Sequence, residues 1–304
     1  MTTETSLLGG FAEHVKAKNP IHASFLDGAV AQLRSDERDD LERYLAYCVG
    51  HDLDVPYLAE AYNTIVNDTL MEQIHFRRTG SYRHSTFKEV ADAVYFNDEY
   101  MRRYMYGLAI TSFLWPNHAA MHRFFLETLP RKQGGRYLEV GPGHGFFFMK
   151  AMELSGCDDF TGVDISRTSL DMTAAIVGHY DDEAPAALQL IETDFLKFDR
   201  GETGYDTLVM GEVLEHVEQP VAFVRKLAEL ANPGAHVYVT TCLNAPAVDH
   251  IYLFPDVPSV ESMLTGNGFT IEQRLLAPYA GKTVEECVEQ RLAVNVAYAL
   301  SPSA

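Results

Sequence analysis

Five short stretches of this 304-residue chain carry side chains that can bind or transfer a chemical group. The first is Glu139-x-Gly141-x-Gly143-x-Gly145, an acid followed by three alternating glycines. Glycine permits the positive φ of a tight reversal, and its missing Cβ lets backbone N–H groups lie against a ligand at a helix N-terminus. A glycine loop alone also suits dinucleotides. The acid argues against a diphosphate, which it would repel, and for a ligand that carries an amine. In the second stretch, Thr161-Gly-Val-Asp-Ile-Ser166, Asp164 stands 23 residues after Gly141. A carboxylate so placed can accept both hydroxyls of a ribose, or else cap the helix that follows. The others are Glu192-Thr-Asp-Phe195, Gly211-Glu-Val-Leu-Glu-His216 and Asp249-His-Ile-Tyr-Leu-Phe254. Histidine titrates near neutrality, so His216 or His250 can take a proton from an acceptor hydroxyl or ammonium.

These stretches need elements that gather them at one sheet edge. Tyr137 to Val140 read as a buried strand, the glycines as a loop and Phe146 to Leu154 as the start of an apolar helix. Strand and helix then alternate: strands 136–141, 159–164, 187–192, 206–211, 235–242, and near 269–276 and 291–299, with helices 146–155, 167–178, 218–232 and 258–266. Such alternation implies a parallel sheet covered on both faces. The last two strands have no long helix between them and read as a hairpin, so the final strand is antiparallel. Residues 1 to about 133 read as helical, with periodic apolar positions over Phe11–Lys18, Ala23–Leu33, Asp36–Tyr47 and Pro56–Asn67. Asp36, Asp39 and Asp40 enrich the start of the third with acid, as the helix dipole favours. The polar, glycine-rich segment Pro130-Arg-Lys-Gln-Gly-Gly135 divides a helical unit, 1–133, from an α/β unit, 134–304.

On Glu139, the three glycines and Asp164, the chain resembles the class I S-adenosylmethionine-dependent methyltransferases, over roughly residues 134–300. The resemblance implies a Rossmann-like sheet of seven strands with an antiparallel last strand, preceded here by the helical unit, and S-adenosyl-L-methionine as cofactor. It implies that Asp164 holds the ribose with Ile165 against the adenine, and that Asp194 and Phe195 take the adenine amino group and ring. Asp194 can instead cap the following turn. The exit of the fourth strand would face the reacting methyl, which brings Gly211 and Glu212 to the site. Glu212-x-x-Glu215-His216 is similar to a segment of ubiquinone-biosynthesis-type methyltransferases. It is also similar to small-RNA 3′-end methyltransferases, where those acids and the histidine, joined by a later histidine, hold a divalent metal. The basic surface of the RNA enzymes is absent here, and no metal is expected. Glu212, His216 and His250 are the expected catalytic residues.

From Glu72 to Leu129 aromatic and histidine residues crowd together, and the polar break Arg77–His84 separates helical stretches. This reads as a lid over the cofactor that supplies the acceptor pocket, with Tyr82, Tyr100, Tyr104 and Trp115 as candidate lining residues. His118 and His122 share a helix face at i, i+4, with no acid between them and no third ligand, so a metal is not expected there either.

An apolar fraction of 47% and a charged fraction of 22% are those of a globular protein. No apolar run reaches the roughly 18 residues of a membrane span, and the N-terminus lacks the basic start and apolar core of a signal peptide. A cytoplasmic protein with no membrane partner is expected. The four scattered cysteines, Cys48, Cys157, Cys242 and Cys287, read as free thiols. The net charge of −19 is uneven: residues 1–134 carry 14 basic and 18 acidic side chains, and residues 135–304 carry 10 and 25. An acidic catalytic half would repel nucleic-acid phosphates and suits a neutral or cationic small molecule. The reading is a methyltransferase acting on an O, N or S atom of a small metabolite, an amino acid or amine being the variant the charge favours. The apolar N-terminal helices could form a homodimer surface. An NAD-dependent oxidoreductase and a non-catalytic binding protein on the same scaffold are the alternatives.

Overall fold

The computed structural model describes residues 6–131, 134–180, 187–199, 201 and 203–303. Seven helices come first: α1 (Leu7–Lys18), α2 (Ala23–Gln32), α3 (Ser35–Gly50), α4 (Val55–Thr79), α5 (Phe87–Val90), α6 (Asp98–Leu114) and α7 (Pro116–Thr128). A π-helical turn, Ala91–Tyr95, joins α5 to α6. Local chemistry sets the ends. Asp54 caps α4 by accepting from the Tyr57 N–H at 2.8 Å, with Pro56 in the first turn, and Gly80 stops it at φ +77°. This helix runs well past Asn67, where the periodic pattern ended. The break expected from Arg77 therefore opens only at Gly80, because exposed Leu70, Met71 and Ile74 interrupt the stripe without ending the helix. Of the expected linker, Lys132 and Gln133 lie outside the described residues.

The second half alternates as expected: β1 (Arg136–Val140), α8 (Phe146–Leu154), β2 (Asp159–Asp164), α9 (Arg167–Tyr180), β3 (Ala187–Glu192), β4 (Tyr205–Met210), α10 (Pro220–Leu230), β5 (Ala231–Leu243), α11 (Val257–Thr265), β6 (Phe269–Pro278), α12 (Val284–Gln290) and β7 (Val294–Pro302). The strands form one sheet in the order β3-β2-β1-β4-β5-β7-β6. β1 to β5 are parallel, and β7 inserts antiparallel between β5 and β6. The last two strands pair as a hairpin would, although α12 sits between them. Only Cys287 of α12 is buried, so it left no apolar stripe to read.

The chain reverses order at β1 and β4, and parallel sheets bind ligands at the carboxyl ends of strands beside such a switch. The helical half closes that edge. One apolar cluster runs from Phe11, Leu45 and Tyr62 through Phe113 and Phe125 to Phe146 and Tyr238. Phe125 meets Tyr238 edge-on at 5.2 Å, and the Tyr238 hydroxyl donates to the Met121 carbonyl at 2.8 Å, fixing α7 to β5. Lys150, nearly buried, donates to Asp40 at 2.9 Å and ties α8 to α3. The cysteines are free, and no described helix is long and apolar enough to cross a membrane.

Candidate active site

A cavity of about 700 Å³ lies between the helical half and the carboxyl ends of β1, β2, β4 and β5. At its floor Gly141, Gly143 and Gly145 all take positive φ, at 69°, 55° and 75°. Their roles differ. Gly141 and Gly143 line the cavity, and a Cβ on Gly141 would stand 2.8 Å from Val213 Cγ2. Gly145 is not on the cavity wall: a Cβ there would meet the Thr173 backbone at 2.7 Å, so it lets α8 start tight against α9. It shapes the loop from behind.

Glu139 and Asp164 face this floor. Glu139 is buried on β1 and accepts from the Tyr137 hydroxyl; desolvation pushes its carboxyl up to about 8, and Asp164 adds to the rise. Asp164 ends β2, where Oδ1 accepts from the Ser166 N–H at 2.8 Å and burial lifts the carboxyl to about 6. Ile165 lies on the rim, 37% exposed. Asp194 lines the cavity and also caps the turn after β3, accepting from the Leu196 N–H at 3.0 Å, so its capping role is seen directly. Phe195 packs on Phe223 at 5.5 Å. These residues give the floor two acids, Glu139 and Asp164, beside a glycine loop with no side chains, and Lys88 is the one Lys or Arg on the cavity wall among the described residues.

At the exit of β4, Gly211 and Glu212 line the wall. Glu212 holds a left-handed φ of +52°, a conformation that costs a non-glycine residue about 1–3 kcal/mol and that neighbours must enforce. They do: its N–H donates to Thr240 Oγ1 at 2.9 Å and its Oε2 accepts from Asn295 at 3.0 Å, while Asn117 of α7 donates to Asn295 at 2.5 Å. Glu215 is fully buried and accepts from Thr241 at 2.8 Å. Burial raises both carboxyls, each adding to or answering the other, and Oε1 of both lacks a partner.

His216 and His250 meet edge to face at 4.7 Å, and both line the cavity. Desolvation pulls His250 down to about 3, with His216 adding to the fall. So weakly basic a nitrogen is a poor proton acceptor. Among the described residues, donor atoms of Glu215, Cys242 and His250, and of His216, Asp249 and His250, lie within 4.8 Å of one another. Several are committed to each other, as Cys242 Sγ is to His250 Nδ1 at 3.7 Å, and the cluster is a hydrogen-bonded network.

Of the expected pocket residues, Tyr104 and Trp115 line the cavity. Tyr82 and Tyr100 stand one layer back: Tyr82 is edge-on to His250 at 5.8 Å, and Tyr100 stacks on Tyr104 with its hydroxyl on Asp68 at 2.7 Å. His118 and His122 part company. His118 lines the cavity with Nδ1 on Thr111 at 2.8 Å, whereas His122 is buried against Phe146 at 5.0 Å. Sequence reasoning missed Tyr95, His144, Asp249 and Asn295, all on the wall. Asp249 alone had a signal, its place beside His250. The wall carries Glu139, Asp164, Asp194, Glu212, Glu218 and Asp249 against a single basic residue, Lys88, among the described residues.

A family model described as a methyltransferase domain matches residues 114–291. Ubiquinone biosynthesis O-methyltransferases are similar over part of the chain. That of Alkalilimnicola ehrlichii is 32% identical over 123 residues, 40% of this chain and 48% of that protein. That of Ralstonia nicotianae is 31% identical over 114 residues, 36% of this chain and 43% of that protein. The chain thus spans about half the length of the curated relatives it matches. Among solved structures, a cyclopropane synthase from Mycobacterium tuberculosis superposes with a TM-score of 0.50 at 13% identity, over 62% of this chain and 85% of that one. That likeness is one of fold.

Proposed function

The chain belongs to the methyltransferase-domain family, and from that premise we propose that it moves a methyl group from S-adenosyl-L-methionine to a small-molecule acceptor. The observation that carries the reading is the convergence of Glu139, Gly141, Gly143, Asp164 and Asp194 on one cavity that the exit of β4, the strand beside β1, also lines. Residues 134–304 act as the cofactor-binding domain and residues 1–133 as its cap. Glu139 takes the amine end of the cofactor, Asp164 the ribose, and Ile165, Asp194 and Phe195 the adenine. When bound, the cofactor supplies a methyl carbon on a positively charged sulfur.

The chain's own part is alignment and exclusion of water. Met101, Met105 and Trp115 from the cap line the cavity, and Met105 reaches down to the glycine loop: a Cβ on Gly143 would lie 3.2 Å from its Sδ. Holding acceptor and donor in line can contribute up to about 7–11 kcal/mol in favourable cases. His216 stands at the β4 exit, where an acceptor proton would leave, and Glu212 shapes that exit. A hydroxyl needs such a base, while a neutral amine can attack without one. Six carboxylates on the wall against one lysine favour an amine or amino acid among the O, N and S acceptors. The same charge speaks against a nucleic acid. We place the protein in the cytoplasm, with exposed Leu70, Met71 and Ile74 of α4 as a surface for a homodimer.

Calorimetry with S-adenosylhomocysteine tests the reading. Saturable binding is expected, with no heat from NAD. Binding of NAD without S-adenosylhomocysteine would overturn it in favour of an oxidoreductase. Binding of S-adenosylhomocysteine with no methyl transfer across a broad screen of amines, phenols and thiols would favour a non-catalytic protein.

A further inference from the structure

We infer that Asp249, held by Tyr95 and Tyr104 from the helical half, positions His216 as an imidazole protonated on Nδ1, leaving Nε2 as its free base. The argument begins with the oxygens around Nδ1. The Tyr95 hydroxyl lies 3.0 Å from it, the Asp249 carbonyl 3.2 Å and Asp249 Oδ2 3.3 Å. A carbonyl and a carboxylate can only accept. A lone pair on Nδ1 would face both in a buried site, so the ring proton sits there and Nε2 is left without one.

The phenol fits the same assignment. Tyr95 donates to Asp249 Oδ2 at 3.1 Å, so its oxygen is free to accept from the imidazole. Tyr104 donates to the other carboxylate oxygen at 3.4 Å. Asp249 is 2% exposed, and with both oxygens engaged its carboxylate is fixed in plane and direction. No Lys or Arg pairs with it among the described residues; the cap's two phenols and His216 are its partners. The other titratable groups at His216 are Glu215, with Oε1 4.0 Å from Nε2, Glu212, and His250, whose ring stands at 89°.

The topology gives the arrangement a consequence. Asp249 and His216 belong to the sheet half, whereas Tyr95 ends the π-helical turn and Tyr104 lies on α6. Single π turns are rare and occur frequently at functional sites. The cap therefore completes the base as well as covering the cavity. Asp249, Tyr95 and Tyr104 are positioning residues for His216, and only the use of Nε2 in proton removal rests on the methyl-transfer reading.

The test is the ¹⁵N spectrum of the intact labelled chain at pH 7.5, with the His216 signals assigned by their loss in His216→Gln. Long-range ¹H–¹⁵N correlations distinguish a protonated ring nitrogen from a bare one. Wild type is expected to show the proton on Nδ1. In Asp249→Asn, whose amide can turn an N–H toward Nδ1 while the backbone carbonyl stays in place, the share of the Nε2–H form should rise measurably. A protein held up by Asp249 for structure alone would keep its tautomer. The proton on Nε2 in wild type, or an unmoved tautomer in Asp249→Asn, overturns the inference. The wild-type spectrum decides even if the variant does not fold. Wild type that fails to bind S-adenosylhomocysteine, yet carries the proton on Nδ1, would sink the methyl-transfer reading and leave this one standing.

Discussion

Replacing Asp164 by asparagine should weaken S-adenosylhomocysteine binding by about 10- to 100-fold at pH 7, and the deficit should vanish in acid. A hydrogen bond to a charged group contributes about 1.5–3 kcal/mol, and losing the charge at the ribose forfeits roughly one such bond. Asparagine retains the oxygen that accepts from the Ser166 N–H at 2.8 Å, so the strand end keeps its shape. The pH dependence follows from burial, which raises the carboxyl from 3.8 to about 6. Above that value the wild-type side chain is ionised; as pH falls through it, the charge is lost and so is the advantage over asparagine. The wild-type to variant affinity ratio should fall from pH 7 and be near one by pH 5. The comparison is kept below pH 7 because Glu139 also titrates, near 8 in wild type, and loses in the variant the part of its rise that Asp164 supplies. Stability moves the other way. A carboxyl raised on folding makes the free protein less stable as pH rises from the unfolded value toward the folded one, so the asparagine variant should be no less stable than wild type at pH 7. Calorimetry across pH 5–7, with thermal unfolding alongside, reads both. Equal affinities at pH 7, or a ratio that does not shrink by pH 5, would refute the placement of Asp164 at the ribose.

Three further outcomes are open to measurement. Gly145→Ala combines a left-handed alanine with a clash against the Thr173 backbone at 2.7 Å, and urea unfolding should register a loss of about 2–5 kcal/mol; a change within error would show that α8 and α9 can part freely. Glu215→Gln keeps the Thr241 bond but removes a carboxyl whose buried form titrates well above 4.5. Wild type thus loses stability as pH rises above 4.5, by up to about 1.4 kcal/mol per unit, and the variant's melting advantage should grow from pH 5 to pH 8; a constant difference would count against a neutral Glu215. Tyr238→Phe removes the second bond to the Met121 carbonyl, which keeps its partner within α7, so about 0.5–1.5 kcal/mol should be lost in the same assay, and an unaltered midpoint would mean that the hydroxyl does not hold α7 to β5.

Legibility in the sequence followed the range of the interactions. The strand, glycine loop and helix at Arg136–Leu154 were readable because each residue's role depends on its near neighbours: positive φ at the glycines, apolar runs on either side. Asp164, at the end of β2, and Asp194, capping the turn after β3, were readable for the same reason. The part of the wall built by distant segments was not. Tyr95 meets Asp249 across 154 positions, and Asn295 meets Asn117 across 178. Asn295 reaches Glu212 only because β7 inserts beside β5 and pairs Asn295 with Cys242, a register no local pattern announces. In an aromatic-rich segment, Tyr100 and Tyr95 look alike. The fold puts the first hydroxyl on Asp68 and the second on His216.

The acidity of the wall bears on which acceptor the site can turn over. Glu215 and Asp249 are buried and Glu212 half-buried, with no Lys or Arg paired to them among the described residues, so negative charge there is relieved by protons, by phenols or by a cationic ligand. Methyl transfer to a phenolate destroys a positive charge in the cavity. Transfer to a neutral amine moves that charge from the sulfur to the acceptor, toward Glu212 and His216 at the β4 exit. The second course keeps the cation among the acids through the transition state, where a fixed field of opposite sign is most effective. The first gives up that attraction as the bond forms. On the methyl-transfer reading proposed above, the same wall would therefore accelerate an amine more than an oxygen acceptor of equal intrinsic reactivity, and competition between paired amine and phenol acceptors would test it.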